Sequence, residues 1–142
     1  MRIAGGEYSR ANLETIFRWK TGGRGISRLG RNTDAEIEEA LRLGAGAQTE
    51  RAAIAALCGL FGVNVPVASA VLTAINPERY TIIDFRALES LGVTKYNETI
   101  DFYLMYLHHC RVLADRHTVN LRTLDRALWQ WSKERRTPES SA

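Results

Sequence analysis

Asp84 is the residue of this chain best suited to chemistry, since it is the only acidic residue in the apolar run YTIIDF at 80–85. A carboxylate held in a cleft can stabilise a developing cation and orient a water molecule for attack. Asp is also among the best helix N-caps, and the sequence that follows, FRALESLG, predicts a helix directly after it. The residue alone leaves both interpretations open, and it favours the structural cap.

The turn Gly62-Val63-Asn64, between two apolar helical patterns, is a candidate phosphate-binding site. The helix after it begins near Val65 with unsatisfied N–H groups and the positive end of its dipole, and Pro66 suits the first turn. The amides of the turn and of Val65 can then bind one phosphate without reading base sequence. Steric demand alone also explains a glycine in such a hairpin, because glycine adopts positive φ freely.

The N-terminal part of the chain carries a basic–aromatic cluster, Arg18-Trp19-Lys20, followed by Arg24 and Arg28 in a glycine-rich segment. Arginine forks match phosphate oxygens and an aromatic ring can stack on a base, so these five residues are candidate DNA contacts. The structural alternative is a core tryptophan at a helix end with snorkelling neighbours, followed by a solvated connector over 21–32. The sequence favours the structural alternative at both places.

Length and composition indicate one globular domain. The chain has 142 residues, of which 45% are hydrophobic and 25% charged, and its net charge is +3. This small basic excess permits an anionic partner. No run of about eighteen apolar residues and no signal-peptide pattern is present, which predicts a cytoplasmic protein without a membrane partner. Cys58 and Cys110 are expected to be buried thiols.

Hydrophobic spacing predicts an all-α fold, a compact bundle of about seven helices over residues 1–137, with a disordered tail at 138–142. The apolar run at 80–85 has no second strand to pair with, so it is predicted to be an extended connection. The residues predicted to share the buried face of the last helix are Leu121, Leu124, Leu128 and Trp131. The predicted N-caps are Ser9, Thr33, Asp84, Asn97 and Asn120.

The stretch from 60 to 92 resembles a known family of enzymes. Its sequence LFGVNVPVA resembles the helix-hairpin-helix motif of the DNA glycosylases related to endonuclease III, where the pattern is roughly Leu-Pro-Gly-Val-Gly-Pro-x-Thr-Ala. The later sequence IIDFRALESLG resembles the family segment in which the invariant catalytic aspartate precedes a short helix, and that aspartate aligns with Asp84. The resemblance implies a short, divergent member of this superfamily with its helix-hairpin-helix at about 50–75.

The chain departs from the family pattern in ways that bear on the reaction. The second hairpin glycine of the family is Asn64 here, which still tolerates a turn. The lysine nucleophile of bifunctional members aligns with Pro66, which argues against a Schiff-base lyase step at that position. The iron–sulfur cysteines of the family are missing. Because the neighbours His108, His109 and Cys110 cannot all face one site, we expect neither a metal nor another cofactor.

Two functions follow from these patterns. The first is a DNA-binding protein that acts as a monofunctional DNA N-glycosylase of base-excision repair, with Asp84 as catalytic carboxylate, the hairpin on a duplex phosphate and a base flipped into a cleft. The alternative is a non-catalytic DNA-binding or protein-interaction domain that retains the fold. The part of the chain before the hairpin is shorter than the helical barrel of full-length family members, and a homodimer is one way to complete that barrel. An open cleft at Asp84 favours the enzyme, and an Asp84 bonded only to its own helix favours the cap.

Overall fold

A computed structural model describes residues 7–93 and 95–141, the side chains of 135–141 excepted. Within these residues the chain is an all-helical bundle, as predicted, with seven α-helices, one 3₁₀ helix and no strand. None of the helices described is long and apolar enough to cross a membrane. Their bounds are α1 Arg10–Thr21, the 3₁₀ helix Ile26–Arg31, α2 Asp34–Gly46, α3 Glu50–Cys58, α4 Val65–Ile75, α5 Phe85–Ser90, α6 Ile100–Arg116 and α7 Leu121–Ser141.

Helix α4 lies at the centre of the bundle. Nine of its eleven residues are buried, among them the small residues Ala68, Ser69 and Ala70, which let neighbouring helices approach closely. Helices α1 and α3 pack against α4, α2 packs mainly against α3, and α5 packs against α7. A helix that is apolar on every side has to be covered on every side, so α4 fixes the positions of its neighbours.

The segment before α5 is extended and pairs with no strand in the described residues, as predicted, and side chains satisfy its backbone. The Ser69 hydroxyl accepts a hydrogen bond from the Ile83 N–H at 3.1 Å, and the Tyr103 hydroxyl donates to the Thr81 carbonyl at 2.9 Å. The Lys20 ammonium donates to the Ile83 carbonyl at 3.1 Å. Because buried backbone groups need such partners, side chains from α1, α4 and α6 hold this segment in place.

Most predicted N-caps are confirmed and one is wrong. The residues whose side chains cap a helix as predicted are Ser9, Thr33, Asp84 and Asn120. The predicted cap Asn97 is wrong, because Thr99 caps α6 by accepting from the Phe102 N–H at 3.1 Å. Both residue types make good caps, so the local sequence does not decide between the two positions.

The glycine–arginine segment 21–32 is the solvated connector that the sequence favoured in that most of its residues are exposed, but it is folded and anchored to the body of the protein. The 3₁₀ helix within it buries Leu29 completely. Just after it, the Asn32 side chain donates to the Phe61 carbonyl at 3.0 Å and accepts from the Phe61 N–H at 2.9 Å. These bonds attach the segment to the turn between α3 and α4.

Helix α7 differs from the prediction at two places. The leucines predicted for its buried face are buried or half-buried, but Trp131 is 46% exposed and does not belong to the core. The next residue, Ser132, is buried instead, and its hydroxyl donates to the Glu89 carboxylate at 2.9 Å. The backbone of α7 reaches Ser141, so residues 138–141 are helical where the sequence predicted a disordered tail.

Of the two thiols predicted to be buried, one is buried and the other is half-buried. Cys110 is buried and Cys58 is half-buried. Burial raises the pKa of both thiols to about 11, so both are protonated at neutral pH. His108 and His109 are exposed whereas Cys110 is buried, which confirms that these three neighbours do not face one site.

We expect Ser69→Ala to destabilise the protein by about 1–3 kcal/mol, because the buried Ile83 N–H then loses its acceptor. Ser69 is completely buried, and its hydroxyl also donates to the Pro66 carbonyl at 2.7 Å. Equilibrium unfolding in urea, followed by circular dichroism, measures the loss. The control is Thr15→Ala, which removes a hydroxyl bonded within an exposed turn of α1 and should cost less than about 0.5 kcal/mol. Equal losses in both variants would contradict the role of Ser69.

Candidate functional site

A cleft of about 620 Å³ lies between the C-terminal end of α1, the segment before α5 and the first half of α7. Clefts of about 300–1,000 Å³ are typical of sites for small ligands. Charged and aromatic side chains form much of its wall, including Trp19, Lys20, Asp84, Arg122, Asp125 and Trp129. The structure thus brings three residues predicted for a site together with residues of α7.

Asp84 lines the cleft and caps α5 at the same time. Its Oδ1 atom accepts from the Ala87 N–H at 2.9 Å, whereas Oδ2 makes no hydrogen bond within the described residues. The side chain is half-buried. One carboxylate oxygen is therefore used by the helix and the other is left for the cleft, so the two interpretations drawn from the sequence are compatible.

Lys20 stands near Asp84 with its ammonium largely withdrawn from water. Burial lowers the pKa of Lys20, and the negative charges of Asp84 and Asp125 oppose this lowering. The ammonium donates to the Ile83 carbonyl at 3.1 Å. Lys20 was a candidate DNA contact from the sequence. In the structure it lines the cleft and is hydrogen-bonded to the main chain next to Asp84.

Asp125 brings a second carboxyl group to the cleft from α7. Its Oδ1 atom is buried and makes no hydrogen bond within the described residues. Burial and, after it, the charge of Asp84 raise the pKa of Asp125 to about 6. The cations that oppose this rise are Arg122, Lys20 and Arg126. Asp125 therefore changes its protonation near neutral pH, as groups in functional clefts often do.

Two tryptophans flank the cleft with their rings partly in solvent. Trp19 is 57% exposed and Trp129 is 38% exposed, and both line the cleft. The core position that the sequence favoured for Trp19 is therefore wrong. Exposed rings at the edge of a cleft offer flat surfaces on which a planar ligand can stack.

The turn predicted to bind phosphate is separate from the cleft, since none of its residues lines that cleft. The Asn64 side chain caps α4 by accepting from the Val67 N–H at 3.0 Å. The Val63 N–H donates to the Leu60 carbonyl at 3.3 Å. The amides here that make no hydrogen bond within the described residues are those of Gly62, Asn64 and Val65. Three of the four predicted amides are thus not used by a hydrogen bond within the described residues.

The other candidate DNA contacts are divided between surfaces. Arg28 lies beside the turn, since a Cβ atom added to Gly62 would come within 2.9 Å of the Arg28 Cβ. Arg18 and Arg24 are exposed but do not line the cleft. The five basic and aromatic residues of the N-terminal part therefore do not form one surface: two join the cleft and one joins the turn.

Trp129, for which the sequence left a groove or a partner interface open, lines the cleft. The charged residues that α7 adds to the cleft were not predicted from the sequence, and they are Arg122, Asp125 and Arg126. Their spacing of three and four positions places them on one face of a helix, and this pattern was a detectable signal beside the leucine stripe. The sequence does not show which element that face meets, because this depends on how α7 packs against α5.

No family model matches the chain, and no curated protein or solved structure matches it either. The resemblance to the helix-hairpin-helix glycosylases therefore stays a prediction. The function of the cleft and of the turn has to be argued from their own residues.

We expect Asp125→Asn to stabilise the protein by about 1–2 kcal/mol at pH 8 and to have little effect near pH 4. The pKa of Asp125 is about 6 in the folded protein and near 3.8 without the fold. Its contribution to stability is therefore complete below pH 3.8 and is lost as the pH rises through 6, where the buried group must ionise. An amide carries no such cost at any pH.

Urea unfolding of both proteins at the two pH values measures this difference. The control is Asp115→Asn, which removes an exposed carboxylate of α6 outside the cleft and should change stability by less than about 0.5 kcal/mol. A stability change for Asp125→Asn that does not depend on pH would show that Asp125 ionises as readily in the folded protein as in the unfolded chain.

Proposed function

We propose that this chain is a helix-hairpin-helix DNA-binding protein and a monofunctional DNA N-glycosylase, whose cleft takes a flipped-out nucleotide and whose catalytic carboxylate is Asp84. The observation that supports this most is the environment of Asp84, a half-buried carboxylate with one oxygen outside its cap, in a cleft flanked by the rings of Trp19 and Trp129. Such rings suit a planar base, and a fixed carboxylate suits the positive charge that develops on its sugar.

In the proposed reaction, the bond between the sugar carbon C1′ and the base nitrogen breaks, and the base leaves with the bonding electrons. The Asp84 carboxylate stabilises the cation that forms on the sugar. Water then adds to C1′ and loses a proton, with Asp84 orienting it. The departing base takes up a proton. Asp125 is a carboxyl group of the cleft suited to carry this proton, because its pKa is raised to about 6.

The proposed activity is hydrolysis without a lyase step. Bifunctional members of the glycosylase family that the sequence resembles carry a lysine nucleophile in the second helix of the hairpin. The aligned residue here is Pro66. Lys20, the lysine that lines the cleft, donates to the Ile83 carbonyl and so supports the backbone next to Asp84. We assign Lys20 a positioning role, in which it holds the acid and balances part of its charge.

The turn supports binding of duplex DNA through a phosphate. The amides of Gly62, Asn64 and Val65 are free of hydrogen bonds within the described residues. Arg28 lies beside these amides. The guanidinium of Arg31 lies 4.0 Å from the centre of the Phe61 ring, which precedes the turn. Amides and arginines contact phosphates without reading bases, so we infer binding that does not depend on sequence.

A second candidate function is a DNA-binding or protein-interaction domain without catalysis. The hydrogen bond of 2.9 Å from the Ala87 N–H to Asp84 favours it, because this bond gives Asp84 a structural reason to be present. The capping of α4 by Asn64, in place of the family's glycine, favours it as well. The two candidates differ in one measurable property, the release of a base.

We expect Asp84→Asn to slow base release by at least about 100-fold while DNA affinity changes by less than about twofold. Asn caps helices as well as Asp does, so this substitution keeps the bond from Ala87 and removes the charge. The assay incubates the protein with a panel of duplexes, each with one deaminated, oxidised or alkylated base, and detects abasic sites by alkaline strand cleavage. Anisotropy of a labelled duplex measures affinity.

The control for this variant is Asp115→Asn, which should release base at the unmodified rate. Failure of the unmodified protein to produce an abasic site from any duplex of the panel would favour the non-catalytic candidate. A covalent adduct with DNA trapped by borohydride would contradict the hydrolytic assignment, because only an imine with an amine such as that of Lys20 is trapped in this way.

We expect Arg28→Gln to weaken duplex binding to a similar extent for unrelated sequences. Loss of one phosphate contact should also reduce the slope of log affinity against log salt concentration by about 0.9. Anisotropy titrations at several salt concentrations measure both effects. The control is Arg42→Gln, an exposed arginine of α2 paired with Glu38, which should bind as the unmodified protein does. Absence of duplex binding at low salt would contradict every DNA-binding function proposed above.

A further inference from the structure

Large aromatic side chains lie exposed beside the cleft. Phe85, directly after the candidate acid, is 58% exposed, Trp129 is 38% exposed, and Trp19 on α1 is 57% exposed. Rings of this size are usually buried, and a group of them among charges marks an interaction surface. We call Phe85, Arg86, Trp129 and Lys133 the aromatic–basic rim.

Rings and cations alternate along this rim. The Arg86 guanidinium lies 5.5 Å from the centre of the Phe85 ring and 5.1 Å from the centre of the Trp129 ring. The Lys133 ammonium lies 5.3 Å from the same Trp129 ring. Since α5 packs against α7, the rim runs from the start of α5 across to α7, beside the cleft that Trp129 lines.

The charge of the cleft and the rim is positive. Counted together, their residues include five cations and two carboxylates. The cations are Lys20, Arg86, Arg122, Arg126 and Lys133, and the carboxylates are Asp84 and Asp125. The excess matches an anionic partner, and the exposed rings require that this partner also offer flat apolar faces.

We propose that the aromatic–basic rim binds unpaired, single-stranded DNA, with bases stacked on its two rings and phosphates paired with its two cations. Bases and phosphates alternate along a strand as rings and cations alternate along the rim, and a duplex hides the base faces that stacking needs. The inference rests on the proposed function only in taking the strand to be DNA. It implies a substrate whose target base lies in an unpaired stretch, where little energy is needed to unstack it.

A protein partner fits the rim less well than a DNA strand does. Protein–protein interfaces are enriched in aromatic residues and arginine but depleted of lysine, whereas here Lys133 lies over the Trp129 ring beside Arg86. An acidic peptide would pair with the cations but would leave the rings without a stacking partner. A single strand satisfies both features at once.

Anisotropy titrations test the inference with a labelled oligothymidylate of about 16 nucleotides, the upper end of site sizes for stacking domains, and a duplex of equal length. We expect the single strand to bind at least about fivefold more tightly than the duplex and to quench tryptophan fluorescence. Trp129→Ala should weaken single-strand binding about 5- to 100-fold, and Trp129→Phe, which keeps a flat ring, should retain most of the affinity. Met105→Ala, at an apolar side chain of α6 that is 60% exposed, is the control and should bind normally.

Tighter or equal binding of the duplex would overturn the inference, as would normal single-strand affinity of a folded Trp129→Ala protein. If Trp129→Ala does not fold, Arg86→Gln tests the same surface, and unchanged affinity in that variant would overturn the inference too. A single-stranded RNA that binds more tightly than the oligothymidylate would exclude DNA as the preferred strand. Single-strand binding without release of a base from single strands that carry the same lesions as the duplex panel would refute the glycosylase function and support the rim as a binding surface.

Discussion

Helix α4 has almost no polar side, and every element around it has to cover part of its surface. Helices α1, α2 and α3 pack against it, and its small residues keep them close. The N-terminal end of α4 is capped by Asn64 and so fixes the turn, while Ser69 in its second turn holds the segment before α5. One buried helix therefore positions both the candidate phosphate site and the candidate acid, although the two lie on different surfaces.

Side chains, rather than a second strand, hold the backbone that carries Asp84. Ser69 satisfies the Ile83 N–H, and Lys20 satisfies the carbonyl of the same residue. This arrangement explains why a lysine is drawn into the wall of the cleft: its ammonium completes the hydrogen bonding of a buried segment, and the nearby carboxylates offset the cost of burying its charge. A lysine with a lowered pKa is thus explained here by a structural task, without a role as nucleophile.

Local features of this protein could be predicted from the sequence, and contacts between distant segments could not. Ser9 and Thr33 were identified as caps because a cap depends on backbone only three residues ahead. Trp131 was placed in the core because its spacing from the leucines of α7 is helical, but packing against α5 buries Ser132 and leaves Trp131 46% exposed. The cleft joins Lys20 to Asp125, and no periodicity in a single sequence relates segments so far apart in the chain.

The cap and the proposed catalytic role make compatible demands on Asp84. A cap bond from Ala87 restrains the carboxylate in one orientation. A charge that is already oriented stabilises a developing cation without further reorganisation, which is the main advantage of a protein site over water. The bond that first argues for a structural role therefore also orients a carboxylate that lines the cleft. The property that separates the two functions is the negative charge, which is why a substitution that keeps the cap and removes the charge distinguishes between them.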